Sequence, residues 1–311
     1  MITYNTESLV AAVKRKTQLP ANSEPTFSDQ DIIDFANEEL ASGVVPQLLS
    51  VRENYFAITK QVTLNIGQSQ YEIPYRAIGQ QIIDVWFFGT DGSRRVLTMI
   101  DYSQAPIYFY QNNLNGNPQA FSIIGNNIEV YPTPSTTSGY LQITYSVSPG
   151  RLVLSTECAQ VVAIDTTTGS ITISPTPASL GFTAGVKVDF IRGESGYNVL
   201  GLDVPIVSAT TNDIVVATSD VPSLLEFGDW VALKNTSPFP QIPAELHPIL
   251  LQRTEIKLLE AMADPRLQTS QGKLEEIERK AYTMLADRAK DHSFKVINPW
   301  SPMRRQSWRW L

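Results

Sequence analysis

Residues 193–196 (Gly-Glu-Ser-Gly) are the stretch closest to a nucleophilic site. They approach the nucleophile elbow, in which a serine is held between glycines on a sharp turn from strand to helix. Tyr197 stands where the closing glycine belongs, and His247 and His292 are the two histidines that could act as base. We interpret the stretch as a chance match, so the sequence predicts no hydrolase site.

Acidic residues near the N-terminus are the best candidates for binding a cation. They are Asp29, Asp31, Asp34, Glu38 and Glu39. They lack the loop glycine of an EF-hand and follow a helical period, which indicates a solvated helix face with favourable dipole contacts. Histidine and cysteine show no ligand spacing, and no glycine-rich loop matches a phosphate cradle. The sequence therefore predicts no enzyme activity, no cofactor and no metal site.

The last residues of the chain combine tryptophan with arginine. The residues concerned are Trp300, Arg304, Arg305, Trp308, Arg309 and Trp310. Nearby prolines favour an extended backbone, so we predict an extended C-terminal arm over residues 294–311. Tryptophan and arginine dominate the energetics of protein interfaces, which favours docking on a partner protein.

Two other roles for this arm stay open. It could pack back on its own body, or bind nucleic acid by base stacking and phosphate contacts. Residues 293–311 carry +4, whereas residues 1–292 carry -11, within a net charge of -7. Since an acidic body opposes binding to phosphates, nucleic acid ranks third.

Composition limits the class of protein. A chain of 311 residues has room for about two domains, and 42% hydrophobic residues suffice for their cores. The 18% of charged residues is low, which suggests a surface covered by neighbours. Cys158, the one cysteine, excludes an intramolecular disulfide. The N-terminus lacks secretory-signal features and no apolar run reaches membrane-spanning length, so we expect a soluble protein made in a cytoplasm.

Helical periodicity marks the first fifty residues. Residues 6–16 and 28–51 are predicted helices, and Ser28 is a good N-cap for the second. Small residues and a proline within 42–46 predict a break or kink there.

The middle of the chain changes to a period of two, typical of strands. Residues 119–131 predict a hairpin, and residues 141–147 alternate apolar and polar side chains as a half-buried antiparallel strand does. Helical spacing returns over 243–292, with a boundary between two helices at residues 264–265.

An internal repeat is the clearest long-range signal. Residues 161–193 match residues 204–236 without a gap, at an offset of 43 positions. Each copy reads strand, turn at Gly169 or Asn212, strand, loop, glycine, strand. Because neither copy buries its own apolar face, six strands are expected to form one small barrel or sandwich. Chance similarity between two β-meanders is the alternative.

These patterns predict an α+β fold with three parts. A discontinuous connector domain of helices and antiparallel strands comprises residues 1–151 and 236–293. A duplicated all-β insertion occupies residues 152–235. The extended arm, residues 294–311, follows.

Three stretches resemble a known family. They are residues 27–56, a helix leading into Val-Arg-Glu-Asn-Tyr-Phe; residues 126–153, a Pro-x-Pro loop and an alternating strand; and residues 240–262, which begin the C-terminal helices. The likeness is to the head–tail connector (adaptor) proteins of tailed bacteriophages, of the short-tailed type.

That resemblance implies a structural virion protein. It implies a homo-oligomeric ring, commonly twelvefold, that docks beneath the portal protein and contacts downstream tail proteins. Genomic DNA would pass through the lumen without sequence-specific binding, and assembly would take place in the host bacterial cytoplasm. The arm would then reach the portal.

A β-rich tail protein or a receptor- or carbohydrate-binding module is the alternative function. Aromatic clusters in the barrel would favour it. The candidates are Phe182, Phe190, Tyr197, Phe227 and Trp230.

Overall fold

The computed structural model describes residues 5–18, 27–104, 115–135, 139–194 and 196–285. It is an α+β structure, in which helices pack beside antiparallel sheets and a closed β-barrel. The described α-helices are α1 (Thr6–Thr17), α2 (Asp29–Glu39), α3 (Val45–Val51), α4 (His247–Ala261) and α5 (Leu267–Leu285).

Eleven described strands precede the barrel. They are β1 (Ala57–Thr63), β2 (Gln70–Glu72), β3 (Ala77–Phe88), β4 (Arg94–Val96), β5 (Thr98–Met99), β6 (Asn115–Gly116), β7 (Ala120–Ile124), β8 (Asn127–Tyr131), β9 (Thr133–Pro134), β10 (Tyr140–Val147) and β11 (Arg151–Leu152). The barrel strands and the strand after them are β12 (Ala159–Asp165), β13 (Ser170–Ser174), β14 (Lys187–Ile191), β15 (Val199–Ala209), β16 (Asp213–Val216), β17 (Trp230–Leu233) and β18 (Thr236–Ser237).

The predicted N-cap of α2 is confirmed. The Ser28 hydroxyl accepts the N–H of Asp31 at 3.2 Å, and the Asp31 carboxylate accepts the N–H of Ser28 at 2.7 Å. The break expected within 42–46 is a π-helical segment, Leu40–Val44, which joins α2 to α3 without leaving the helical path. Pro46 lies in the first turn of α3, directly after the π-helical segment, whose wider turn accommodates a residue without an N–H.

The helices form one layer of the main core. α4 packs on α1, α2 and α5. Val13, Ile32 and Leu250 are fully buried between them. In α5 Ala281 is buried, whereas Met284, three residues later, is 67% exposed at the surface.

Two four-stranded sheets form the other side of this core. The main sheet has the strand order β1-β10-β3-β4, and the second sheet has the order β2-β8-β7-β5. The predicted hairpin over 119–131 is confirmed as β7 and β8, joined through Gly125 at a φ of +57°. Leu141 and Ile143 of β10 are buried while Gln142 and Thr144 are half-buried, as the alternation predicts, but Ser146 is buried too, so the alternation ends before Val147.

The repeat forms a closed barrel rather than a sandwich. Its strand order is β12-β13-β16-β15-β14-β17, so each copy contributes three strands. Ile171 lies opposite Ile214, and Asp189 lies opposite Ala232. Both pairs are separated by the repeat offset, so an approximate twofold axis passes through them and relates the two halves of the barrel.

The chain enters and leaves the barrel side by side. β11 and β18 pair in parallel, with Arg151 opposite Thr236 and Leu152 opposite Ser237. These short strands lie at the predicted boundaries of the insertion. The division into a separately folding connector domain and insertion stays a prediction.

Candidate functional site

The residues considered for catalysis are unsuited to it where the structure describes them. Burial lowers the pKa of His247 to about 4, and its Nε2 lies 3.3 Å from the Ile242 carbonyl oxygen. Burial raises the pKa of the Cys158 thiol to about 12, so no reactive thiolate forms near neutral pH. Ser195 and His292 lie outside the described residues. Within those residues, no group of three or more His, Cys, Asp or Glu side chains could hold a metal ion.

The acidic face of α2 is paired rather than simply solvated. Glu39 is buried and accepts from Arg253 Nη1 at 3.1 Å, and Arg253 Nη2 donates to Glu278 at 2.6 Å. The interpretation as a solvated face was therefore wrong for Glu39, because α4 brings a guanidinium against it. A side chain at Gly43 would have to displace the Arg253 guanidinium from its place beside Glu39.

A buried ion pair fixes the barrel to the main sheet. Arg76 Nη1 lies 2.7 Å from Asp189 Oδ2, with both side chains at most 3% exposed. The Asp189 carboxylate also accepts the N–H groups of Asp203 and Asn235, each at 2.9 Å. Burial alone would lower the pKa of Arg76, but Asp189 raises it, so the guanidinium stays charged.

Tyrosines extend this junction. Tyr75 donates to Asp203 at 2.6 Å, and the Tyr55 hydroxyl accepts the N–H of Tyr197 at 3.2 Å. The Tyr197 ring meets Phe56 edge to face at 5.5 Å. The barrel is thus held by polar and aromatic contacts distributed over both of its neighbours, the main sheet and the loop before β1.

Beside the junction lies a cleft of about 510 Å³, here called the junction cleft. Its walls include Ile58, Lys60, Glu72, Tyr75, Tyr145 and Lys187. The two lysines are exposed and form no ion pair within the described residues. The volume is in the range of ligand-binding clefts, and the walls mix cations with apolar and phenolic groups.

A loop at the end of the barrel presents apolar side chains to solvent. Residues 222–229, here called the tip loop, carry Leu224 at 64% and Phe227 at 79% exposure. Arg192 holds the loop, since its Nη2 donates to the Leu224 carbonyl and its Nε lies 3.4 Å from Asp229. An exposed apolar pair on a fastened loop is typical of an interaction surface.

The outer face of the main sheet carries an aromatic row. Phe88 stacks on Tyr140 at 4.9 Å and lies 6.4 Å from Trp86, and the Arg94 guanidinium is 5.4 Å from the Phe88 ring centre. These rings are half-buried. The sequence alone does not reveal this row, because its four residues lie on three separate strands.

The aromatic residues considered for sugar binding do not form a platform. Phe182 and Phe190 fill the barrel interior, and Trp230 packs against Phe239 at 5.7 Å. Tyr197 belongs to the junction, which leaves Phe227 as the exposed member of the set.

The predicted arm falls outside the described residues, together with Trp300, Arg304, Arg305, Trp308, Arg309 and Trp310. The last described helix ends at Leu285, whose carbonyl oxygen accepts from Arg52 Nε at 3.1 Å. The binding role of the arm stays a prediction.

Comparison with known families identifies the class. The sequence model of the SU10 adaptor protein family matches residues 4–168, more than half of the chain, and the chain belongs to this family of phage head–tail adaptors. The match includes the resembling stretches 27–56 and 126–153 and continues into β12, whereas the third resembling stretch, residues 240–262, lies outside it. No curated protein matches the chain. No helix within the described ranges has the length and apolar character to cross a membrane.

The family assignment confirms the predicted resemblance to phage connector proteins. It makes the protein a structural phage adaptor and a component of the virion that interacts with other head or tail proteins.

Proposed function

We propose that the protein forms a homo-oligomeric ring, twelvefold in number, at the phage head–tail junction below the portal. The observation that carries this proposal is the family match over residues 4–168, which contains helices α1–α3 and both four-stranded sheets. The ring gives a channel for DNA and a platform for the tail. Assembly takes place in the host bacterial cytoplasm before the ring joins the virion.

The charge balance supports a channel that DNA traverses without binding. The net charge is -7, and the cations of α4 are already engaged by acids: Arg253 by Glu39 and Glu278, and Lys257 by Glu38. An acidic lumen repels the phosphate backbone and keeps the duplex moving.

Each of the three predicted parts has its own role in the proposed ring. The connector domain, residues 1–151 and 236–293, builds the ring wall. The insertion, residues 152–235, stands on that wall through the Arg76–Asp189 ion pair. The arm, residues 294–311, orders on the portal through its tryptophans and arginines, which are residue types that dominate interface energies.

Electron microscopy and native mass spectrometry of the full-length protein, alone and with purified portal, test the ring. We expect closed rings of one copy number, and a complex with portal that sediments as a single species. A protein that remains monomeric under both conditions overturns the proposal.

The arm is tested separately by portal capture. Deletion of residues 294–311 is expected to abolish capture of portal while rings still form. A matched control replaces Lys295 alone with alanine and leaves the tryptophans in place. Capture at the wild-type level by the deletion variant would assign portal binding to another surface.

A further inference from the structure

Two surfaces have complementary chemistry and no partner within the described residues: the junction cleft and the tip loop. We propose that the tip loop of one copy inserts into the junction cleft of the next copy around the ring. This inference rests on the proposed ring and names the residues that join its subunits. It places the barrel in the interface between neighbouring subunits.

The junction cleft supplies positive charge on an acidic protein. Lys60 and Lys187 line it, and Lys234 lies 5.7 Å from the Tyr75 ring at its edge. All three are exposed and none has an ion-pair partner within the described ranges. Glu72 and Asp203 are the acids of the wall, and the charge of Arg76 is balanced by Asp189, so the three lysines exceed the two acids by one and favour an acidic apolar segment.

The tip loop is such a segment. Phe227 and Leu224 project into solvent on either side of Glu226, which is 73% exposed. Its one described ion-pair contact is with Arg192 at 3.6 Å, a weak interaction at that exposure. The Phe227 ring suits the tyrosines of the cleft, and Leu224 suits its apolar wall. The Glu226 carboxylate suits its lysines.

The tip loop is also held in a fixed position. Leu225 anchors it in the barrel core, and the Gly228 N–H donates to the Val161 carbonyl at 2.9 Å. Asp229 accepts the N–H of Glu226 at 2.8 Å. A loop fastened in this way loses little conformational entropy on binding, which favours association.

The two surfaces face opposite ends of one strand. Lys187 begins β14, and Arg192, which holds the tip loop, directly follows its last residue. At about 3.4 Å per residue the two positions are about 17 Å apart along the strand. Different patches at opposite ends make a head-to-tail contact, and such contacts generate a ring when the rotation from one copy to the next closes. A contact of the cleft with itself would bring lysine against lysine.

The C-terminal arm is a poorer occupant of the cleft. Residues 293–311 contain Lys295 and three arginines with no acid, so the arm is repelled by Lys60 and Lys187. The tip loop, by contrast, fits the junction cleft both in its acidic charge and in its exposed apolar side chains.

A charge exchange tests the pairing. The variant Lys60→Glu/Lys187→Glu and the variant Glu226→Lys are each expected to reduce the ring fraction at least tenfold. The triple variant, which carries all three changes in one chain, is expected to recover rings because both sides of every contact are reversed. Lys60→Arg/Lys187→Arg, which keeps the positive charge at both positions, is the control and leaves rings unchanged. Thermal unfolding verifies that every variant folds.

Cysteine cross-linking provides the second measurement. Lys60→Cys with Phe227→Cys in one chain is expected to give a ladder of disulfide-linked oligomers on oxidation, because Cys158 is buried and contributes nothing. Ala184→Cys, which occupies the position equivalent to Phe227 in the other half of the barrel, replaces Phe227→Cys in the control and gives no ladder.

The outcomes separate this inference from the proposed function. Wild-type rings without the ladder, or without recovery in the triple variant, overturn the pairing and leave the ring intact. Failure of the wild type to form rings overturns the ring and this contact together.

Discussion

The two halves of the barrel share an interior and differ outside it. Ile171 and Ile214, which occupy equivalent positions, are both fully buried, and Phe182 is matched by buried Leu225. Outside the barrel the equivalence ends. Asp189 binds Arg76, whereas its counterpart is Ala232.

The tip loop gives the second difference. Leu224 and Phe227 in the second half replace Gly181 and Ala184 of the first. The interior is therefore held by packing, which both halves need equally, while the first half attaches the barrel to the main sheet and the second half exposes apolar side chains. The two halves therefore have the same packed interior and different outer residues.

Breaking the attachment is expected to have the largest effect. Asp189→Ala leaves the buried Arg76 guanidinium without its carboxylate, and we expect a loss of about 3–5 kcal/mol in unfolding free energy. Urea denaturation measures it. The double variant Asp189→Ala/Arg76→Met removes both charges and is expected to be more stable than the single variant. A loss below about 1 kcal/mol in the single variant would mean that the attachment lies elsewhere.

Because the two halves share the same interior, truncating equivalent buried side chains is expected to lower the unfolding free energy equally. Ile171→Ala and Ile214→Ala each remove a fully buried side chain and are expected to cost about 2–5 kcal/mol. Because the two residues face one another across the twofold axis, the two costs should agree within about 1 kcal/mol. Parallel urea titrations measure them, and a larger disagreement would show that the halves are not structurally equivalent.

A pH titration distinguishes the stability of the helical layer, which contains His247, from the stability of the barrel. Burial lowers the pKa of folded His247 to about 4, whereas an unfolded histidine titrates near 6.5. The stability from neutral His247 is complete above pH 6.5 and is lost as the pH falls toward 4, because only the unfolded chain gains the proton.

Relative to His247→Gln, the wild type is expected to lose about 1–3 kcal/mol between pH 7 and 4.5. Urea midpoints across that range measure the difference. The barrel contains no histidine, so its amide exchange should not follow this difference. Parallel pH profiles of the two proteins would exclude His247 as the cause.

The tip loop is expected to give the smallest effect on folding. Phe227 is 79% exposed, so Phe227→Ala should change the unfolding free energy of the monomer by less than about 0.5 kcal/mol. Leu225→Ala, two residues earlier but buried, is the comparison and should cost about 2–5 kcal/mol. A large cost for Phe227→Ala would make its ring part of the fold rather than of an interface.

Local and repetitive features of the fold could be predicted from the sequence. The helix predicted over 6–16 spans Thr6–Thr17, and the repeat correctly predicted the order strand, turn, strand, loop, strand in each half. Such features depend on neighbours in the chain or on a constant offset, and both can be read from one sequence.

Long-range polar contacts could not be predicted. Arg76 and Asp189 are 113 positions apart, and nothing near either residue marks it as half of a buried pair. Glu39 looked like a surface acid because its partner Arg253 comes from a helix 214 positions away. The junction cleft was missed for the same reason, since its walls come from β1, the loop before β3, β10 and the barrel.

The parallel pairing of β11 with β18 has a mechanical consequence. Because Leu152 and Thr236 lie within about 10 Å, tension along the chain passes between these two strands and bypasses the barrel. The barrel is then a side branch of the chain that is bound to the main sheet through the Arg76–Asp189 ion pair. Replacing the barrel with a short linker would therefore also require Arg76→Met, since the buried guanidinium would otherwise lose its carboxylate.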